Sequence, residues 1–218
     1  MTLALFDLDN TLLQTDSDHA WGTFLARHQL VDADEHHRMN DYFYEQYKAG
    51  ELDIHEYARF SQQFLSENEP ARLDELHQQF MQEDVLPNIS SSSRELVKHH
   101  QDKGHTLVVI TATNRFVTAP IVRELGIEHL LAIEIKMENG RYTREIAGVP
   151  TFREGKVTRL HSWLENRSET LGGSYFYSDS HNDLPLLEIV DHPVVVDPDE
   201  KLRAVAEEKG WKVISLLS

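Results

Sequence analysis

The sequence predicts an α/β fold, a Rossmann-like parallel sheet with helices on both faces, interrupted after its first strand by an inserted four-helix bundle. Three observations predict it. Short continuous apolar runs such as Leu107-Val108-Val109-Ile110 are the pattern of strands buried on both faces, as parallel strands are. After Pro87 such runs alternate with helical segments, the signature of strand–helix–strand units. From about Ser17 to Asp84, apolar residues instead recur at helical spacing with almost no strand signal.

The elements follow in order. Thr2 to Phe6 reads as a short buried strand ending in carboxylates. Asp16-Ser17-Asp18 offers caps for a helix whose apolar face carries Ala20, Trp21, Phe24 and Leu25. Met39, Tyr42 and Phe43 mark a second helix that Gly50 ends, and Ile54 to Leu65 a third. Pro70 opens a fourth, with Leu73, Leu76, Phe80 and Met81. These four make a small bundle, with Trp21, Phe24, Tyr42 and Phe43 read as its core. The expected division is residues 1–15 and 87–218 as the core and 16–86 as a cap hinged near 14–17 and 85–88. Ser90 to Ser93 reads as a cap for the next helix, which stops at Gly104. After the strand 107–110, Pro120 implies a helix beginning near Thr118 and ending before Gly126. Leu130 to Ile135 is a strand, and Asn139-Gly140 a hairpin turn. A helix after Gly155, the strand 174–177, a helix near 184–189, the strand 193–196, a helix 200–209 and the strand 211–214 complete the chain.

Composition narrows the function. The 218 residues carry a formal charge of −16 and no Lys/Arg run, a surface that repels nucleic acid and anionic membranes. The absence of cysteine excludes disulfides and thiolate metal sites and suits a cytoplasmic location. No apolar run approaches the length of a membrane span. A small anionic substrate would need a local positive device, either a cation or a few well-placed Lys and N–H groups, and the expected assembly is a monomer or homodimer. The thirteen histidines show no ligand spacing and read mostly as surface residues, with His19 and His181 lying beside the motifs.

In open α/β sheets ligands bind beyond the carboxyl ends of the strands. Asp7-Leu8-Asp9-Asn10-Thr11, Thr111-Ala112-Thr113 and Asp179-Ser180-His181-Asn182-Asp183 all follow strands, and Lys156 lies in the helix before the last of these. Phosphoryl transfer needs a nucleophile, a proton donor for the leaving oxygen, and positive charge or N–H groups for the equatorial oxygens. Asp7 and Asp9 face the same way only if the chain bends, as Asn10-Thr11 allows; one can then attack while the other acts as acid and base. With Asp179 and Asp183 the carboxylates crowd, which is unfavourable without a cation, and an all-oxygen site suits Mg2+.

These four segments, in this order, resemble the four motifs of the haloacid dehalogenase-like hydrolases. The insertion after the first resembles the C1 cap of their phosphoserine-phosphatase-like branch. The resemblance runs essentially the whole chain. It implies Asp7 as nucleophile and Asp9 as general acid/base, with Thr111, Ala112 and Lys156 at the phosphoryl group. It implies Mg2+ held by Asp7, the backbone carbonyl of Asp9, and Asp179, with Asp183 completing the metal set through a water. Asn182 is placed at the substrate or its loop. Asp16 and Asp18 are candidates for both helix capping and substrate binding. The surroundings of these motifs are most similar to bacterial histidinol-phosphate phosphatases, and an acidic entrance suits a substrate with a cationic amine; phosphoserine or another small phosphorylated metabolite is the alternative. A phosphomutase or phosphotransferase, and a non-catalytic phospho-receiver, are the readings of other classes; the helical insertion after Asp9 argues against a receiver.

Overall fold

The structure, a computed structural model, describes residues 2–217. Its first strand, β1 (Leu3–Phe6), is wholly buried and lies in the middle of a seven-stranded sheet ordered β4-β3-β2-β1-β5-β6-β7. The others are β2 (Thr106–Asn114), β3 (His129–Glu138), β4 (Arg141–Ala147), β5 (Tyr175–Ser178), β6 (His192–Val196) and β7 (Lys212–Ile214). All neighbours pair in parallel except β3 and β4. That exception is the Asn139-Gly140 hairpin. Both turn residues take positive φ, 51° and 78°, which Asn and Gly tolerate and a tight two-residue turn requires.

Alternation along β1 separates two cores. Ala4 and Phe6 join Val97 of α6 (Ser91–Asp102) and Val117 and Ile121 of α7 (Arg115–Glu124) on one face. Leu3 and Leu5 join Leu160 of α8 (Glu154–Leu164), Leu186 of α9 (Leu184–Leu187) and Leu202 of α10 (Glu200–Lys209) on the other. With a helical layer on each face, neither side of the central strand meets water.

The insertion supplies α1 (Ser17–Arg27), α2 (Ala33–Ala49), α3 (Ile54–Ser61), α4 (Gln63–Glu67) and α5 (Pro70–Phe80), then a π turn at Met81–Val85 and a 3-10 turn at Leu86–Asn88. Trp21, Phe24, Leu65, Leu73 and Phe80 share one continuous apolar cluster with the sheet. The two crossings of the insertion are tied together, the Gln14 N–H donating to the Asn88 carbonyl at 2.8 Å. On its far side the insertion leans on the hairpin: Arg144 donates to the Arg59 carbonyl and Arg141 pairs with Glu69.

Several local expectations are revised. The third insertion helix breaks at Gln62 into α3 and α4, so there are five helices where four were expected. The helix after β2 starts at Arg115, because Asn114 caps it by accepting from the Val117 N–H; Pro120 is carried inside at the cost of one backbone hydrogen bond. The strand β2 runs on through Thr111-Ala112-Thr113 to Asn114, with its register irregular beyond Ile110. Tyr42, expected in the core, is 52% exposed, whereas His77 and His100 are buried. His77 is placed by the Val117 carbonyl, and His100 by His105 and the Tyr177 hydroxyl, so each buried ring has polar partners. No helix among the described residues is long and apolar enough to cross a membrane.

Gly155, in the first turn of α8, has no room for a side chain, because a Cβ there would collide with the Pro150 carbonyl. Gly155→Ala is therefore expected to destabilise the protein by about 1–3 kcal/mol, although alanine normally favours a helix interior. Urea unfolding checks this; equal or greater stability would show that the turn before α8 yields.

Candidate active site

The central strand delivers Asp7 to the sheet edge, where its N–H donates to the Tyr177 carbonyl at 2.9 Å and so extends the β1–β5 ladder by one rung. Asn10 then adopts φ 56°, and the chain turns back so that Leu13 N–H donates to the Leu8 carbonyl at 2.9 Å. Short polar residues such as Asn bear this left-handed geometry best.

Lys156 reaches the turn from the start of α8. Its Nζ lies 2.8 Å from Asp7 Oδ1 and 2.7 Å from Asp183 Oδ1, with the ammonium and both carboxylates almost fully buried. Asp183 also accepts from the Ser178 hydroxyl at 2.7 Å, and Asp179 from the Thr11 hydroxyl at 3.1 Å. Asp9 turns the other way. It accepts from the Ser17 N–H at 2.7 Å, at the N-terminus of α1, from Thr113 Oγ1 at 2.9 Å and from Thr111 Oγ1 at 3.3 Å. A helix N-terminus favours a negative side chain there.

Asp7 and Asp183 share one ammonium, and among the described residues Asp179 stands beside them without one. Burial, opposed by Lys156 and reinforced by Asp183 and Asp9, raises the Asp7 carboxyl from 3.8 to about 7. Burial and the Asp7 and Asp183 charges raise Asp179 well above its ordinary value. Burial opposes the charge on Lys156 too, but Asp183 and Asp7 outweigh it and hold the ammonium above its usual range. Asp9, raised to about 6 by burial and then by Asp16, is placed to give and take a proton near neutrality.

Between this edge and the insertion lies a small, partly open cavity of about 50 Å3. Asp7, Asp9, Thr111, Ala112 and Thr113 form its floor; Asn40, Phe43, Tyr44, Tyr47, Leu52 and Tyr57 form its roof. Asp179 opens instead on an adjoining groove reached past Asn10, Tyr44 and Tyr47.

Comparison with known proteins agrees with this geometry. Residues 4–188 match the family model described as haloacid dehalogenase-like hydrolase. The chain belongs to the haloacid dehalogenase-like hydrolases. It is 46% identical over 217 residues to a histidinol-phosphatase of Neisseria meningitidis serogroup C, with 98% of each chain covered. It is 31% identical to the phosphoserine phosphatase SerB1 of Mycobacterium tuberculosis, covering 96% of this chain and 69% of that one. A crystal structure of a protein of unknown function from Bordetella pertussis Tohama I superposes with a TM-score of 0.93 at 44% identity, covering all of both chains. A substrate-bound phosphoserine phosphatase, at 14% identity, shares the fold with a TM-score of 0.72 over 98% of this chain and 92% of that one. This hydrolase is a phosphatase.

The structure brings Asp7, Asp9, Thr111, Ala112, Asp16 and Asp18 of the hydrolase to one cavity, with Lys156 beneath Asp7. Two further motif residues, Asn182 and Asp183, do not line this cavity. Asn182 faces away from the cavity: its amide donates to the Tyr47 carbonyl at 3.1 Å and its oxygen accepts from Arg153 Nε at 3.2 Å, which ties the motif to α2. Asp183 has both oxygens engaged by Lys156 and Ser178, and among the described residues no three His, Asp or Glu side chains converge as a metal cluster. His19 lines the cavity, whereas His181 is held by Asp199 at 2.7 Å. Thr11, Thr113, Ser178 and Tyr57 were given no role from sequence. A hydroxyl one or two positions from a motif residue was the available signal for the first three, and nothing local marked Tyr57.

The raised carboxyls give a signed pH dependence. Between about 4 and 7 the folded hydrolase holds protons on Asp7 that the unfolded chain releases, so this group's contribution to stability falls as pH rises through that window. In chelator, Asp7→Asn should therefore gain thermal stability relative to the parent at pH 7 compared with pH 5. A difference in melting temperature that is the same at both pH values would remove Asp7 as the source.

Proposed function

We propose that this phosphatase is a Mg2+-dependent phosphomonoesterase that works through an aspartyl-phosphate on Asp7, with histidinol phosphate as its substrate. The observation that carries the reaction is the buried Lys156 bridging Asp7 and Asp183 beside a cavity that Asp9 enters from the other side. The substrate rests on the 46% identity to a histidinol-phosphatase. Residues 1–15 and 87–218 act as the core and 16–86 as the cap, a reading supported by the helices that roof the cavity.

The residues present fit a divalent cation. Asp7 gives one oxygen to Lys156 and Asp179 one to Thr11, and among the described residues no protein donor meets the other oxygen of either. Two carboxylates raised first by burial and then by neighbouring carboxylates are the oxygen donors Mg2+ takes, with the Asp9 carbonyl as a third. Asp183 belongs to this set through Lys156 and water. When bound, the cation neutralises phosphoryl charge and keeps Asp7 ionised.

An oxygen of Asp7 attacks phosphorus, the ester P–O bond breaks, and its electron pair leaves on the alkoxide, which takes the proton of Asp9. Water then attacks the aspartyl-phosphate and gives its proton to Asp9 as the bond to Asp7 breaks, releasing inorganic phosphate. Lys156, Thr111 and the backbone at Ala112 hold the phosphoryl oxygens. Thr113 and the Ser17 N–H fix Asp9 for both proton transfers. A chain free of cysteine, working on a small metabolite, fits the cytoplasm.

Asp7→Asn is expected to lower phosphate release from histidinol phosphate by roughly 10³-fold or more, and chelation to abolish it until Mg2+ returns. Unchanged turnover in the variant would exclude the covalent route. Asp9→Asn should slow alkyl ester cleavage by about 10²- to 10⁴-fold and p-nitrophenyl phosphate, whose leaving group needs no proton, by less in the first step. Burst kinetics with both esters separates the steps; equal slowing of the first step would remove Asp9 as the acid.

A further inference from the structure

Asp18 lies on α1, on the insertion side of the cavity that Asp9 also lines, with 7% of its surface exposed. Tyr57 donates its hydroxyl to one carboxylate oxygen at 2.8 Å, and the Asn114 amide approaches the other at 3.4 Å. Asn114 is itself oriented by capping α7 through the Val117 N–H. Both partners of this buried carboxylate are neutral. Among the described residues no Lys or Arg lines the cavity; its one basic wall residue, His19, faces Asp41 at 3.3 Å. Asp16 is committed elsewhere, one oxygen accepting the Asp18 and His19 N–H groups that start α1. The Tyr57 ring stands at Asp18 with Phe43 packed against it, and Tyr44 and Tyr47 line the same cavity. A buried carboxylate without a counter-charge is costly, and aromatic faces attract cations. Burial pushes the Asp18 carboxyl up to about 7, so it holds its proton near neutrality, and a cationic ligand is what lets it ionise.

Resting on the phosphatase reading above, we propose that Asp18, held by Tyr57, determines specificity by binding an organic cation on the substrate. The cavity accordingly takes phosphate monoesters of amino alcohols and turns away those that also carry a carboxylate. A phosphorylated amino acid would bring its carboxylate in among Asp9, Asp16 and Asp18 with no Lys or Arg to meet it, and like charges placed together are penalised. An amino alcohol brings only the cation.

The test compares histidinol phosphate, O-phosphoserine and p-nitrophenyl phosphate with Mg2+, and measures binding of histidinol and of L-serine by calorimetry. The native protein should favour histidinol phosphate over O-phosphoserine and bind histidinol but not L-serine. Asp18→Asn should lower kcat/KM for histidinol phosphate about 10- to 100-fold more than for p-nitrophenyl phosphate, chiefly through KM, and weaken histidinol binding by a similar factor. Tyr57→Phe, which keeps the charge, should raise the KM for histidinol phosphate a few-fold. Equal losses for both esters in Asp18→Asn, or O-phosphoserine cleaved as well as histidinol phosphate, would overturn the proposal. If the native protein cleaves no ester, the phosphatase reading fails, and histidinol binding to native and Asp18→Asn protein still decides the cation site.

Discussion

One buried ammonium organises the active site. Lys156 Nζ sits between Asp7 and Asp183 at 2.7–2.8 Å, and it can do so only because three parts of the fold converge there. The central strand brings Asp7, the loop after β5 brings Asp183, and the first turn of α8 brings the lysine. A cation at a helix N-terminus opposes the helix dipole, so Lys156 is stabilised there by the carboxylates it faces. They in turn are kept from neutralising entirely by the lysine. The close approach of α8 to the Pro150 carbonyl at Gly155 belongs to the same constraint, since the lysine reaches Asp7 from that turn.

Around that pair the labour is divided by direction. The sheet edge presents chemistry: Asp7 toward Lys156, Asp9 toward the start of α1, Asp179 toward Thr11. The insertion presents aromatic rings and Asp18 on the opposite wall. The two are held in register at the end of α2, where the carbonyls of Tyr47, Ala49 and Gly50 accept from Asn182, Lys201 and Arg153. The carbonyls of Ala49 and Gly50 are ones a helix end leaves without internal partners, and that of Tyr47 accepts from the Gly50 N–H as well. Docking them on donors from the core satisfies the helix end and seats the roof together. Asp9 is itself a link, because the Ser17 N–H that it accepts belongs to the insertion's first helix.

Much of this could be read along the chain, because it depends on local pattern. Apolar runs marked the strands, Asp16, Gly50, Pro70 and Ser90 marked helix ends, and Asn139-Gly140 marked the hairpin. Where local signals competed, the structure chose. Asn114 capped α7 and outweighed Pro120, since a satisfied helix start is worth about as much as one lost interior bond. Gln62 split a helix that periodicity alone would continue, and Tyr42 faced water although its spacing matched the buried Phe43 next to it.

By itself the sequence determined which polar groups reach the candidate site: two carboxylates after the first strand, a hydroxyl after the second, a lysine and an acidic loop, in an order that a parallel sheet brings to one edge. Tertiary structure decided their duties. Asn182 became a tie to α2, Asp183 a partner of Lys156, and Tyr57, unremarkable on its helix, the donor to Asp18. The reason is physical. Residue type and strand position are written locally, whereas the direction of a side chain and the company it keeps when buried are set by distant segments, 149 residues apart for Lys156 and Asp7 and 168 for Asp179 and Thr11.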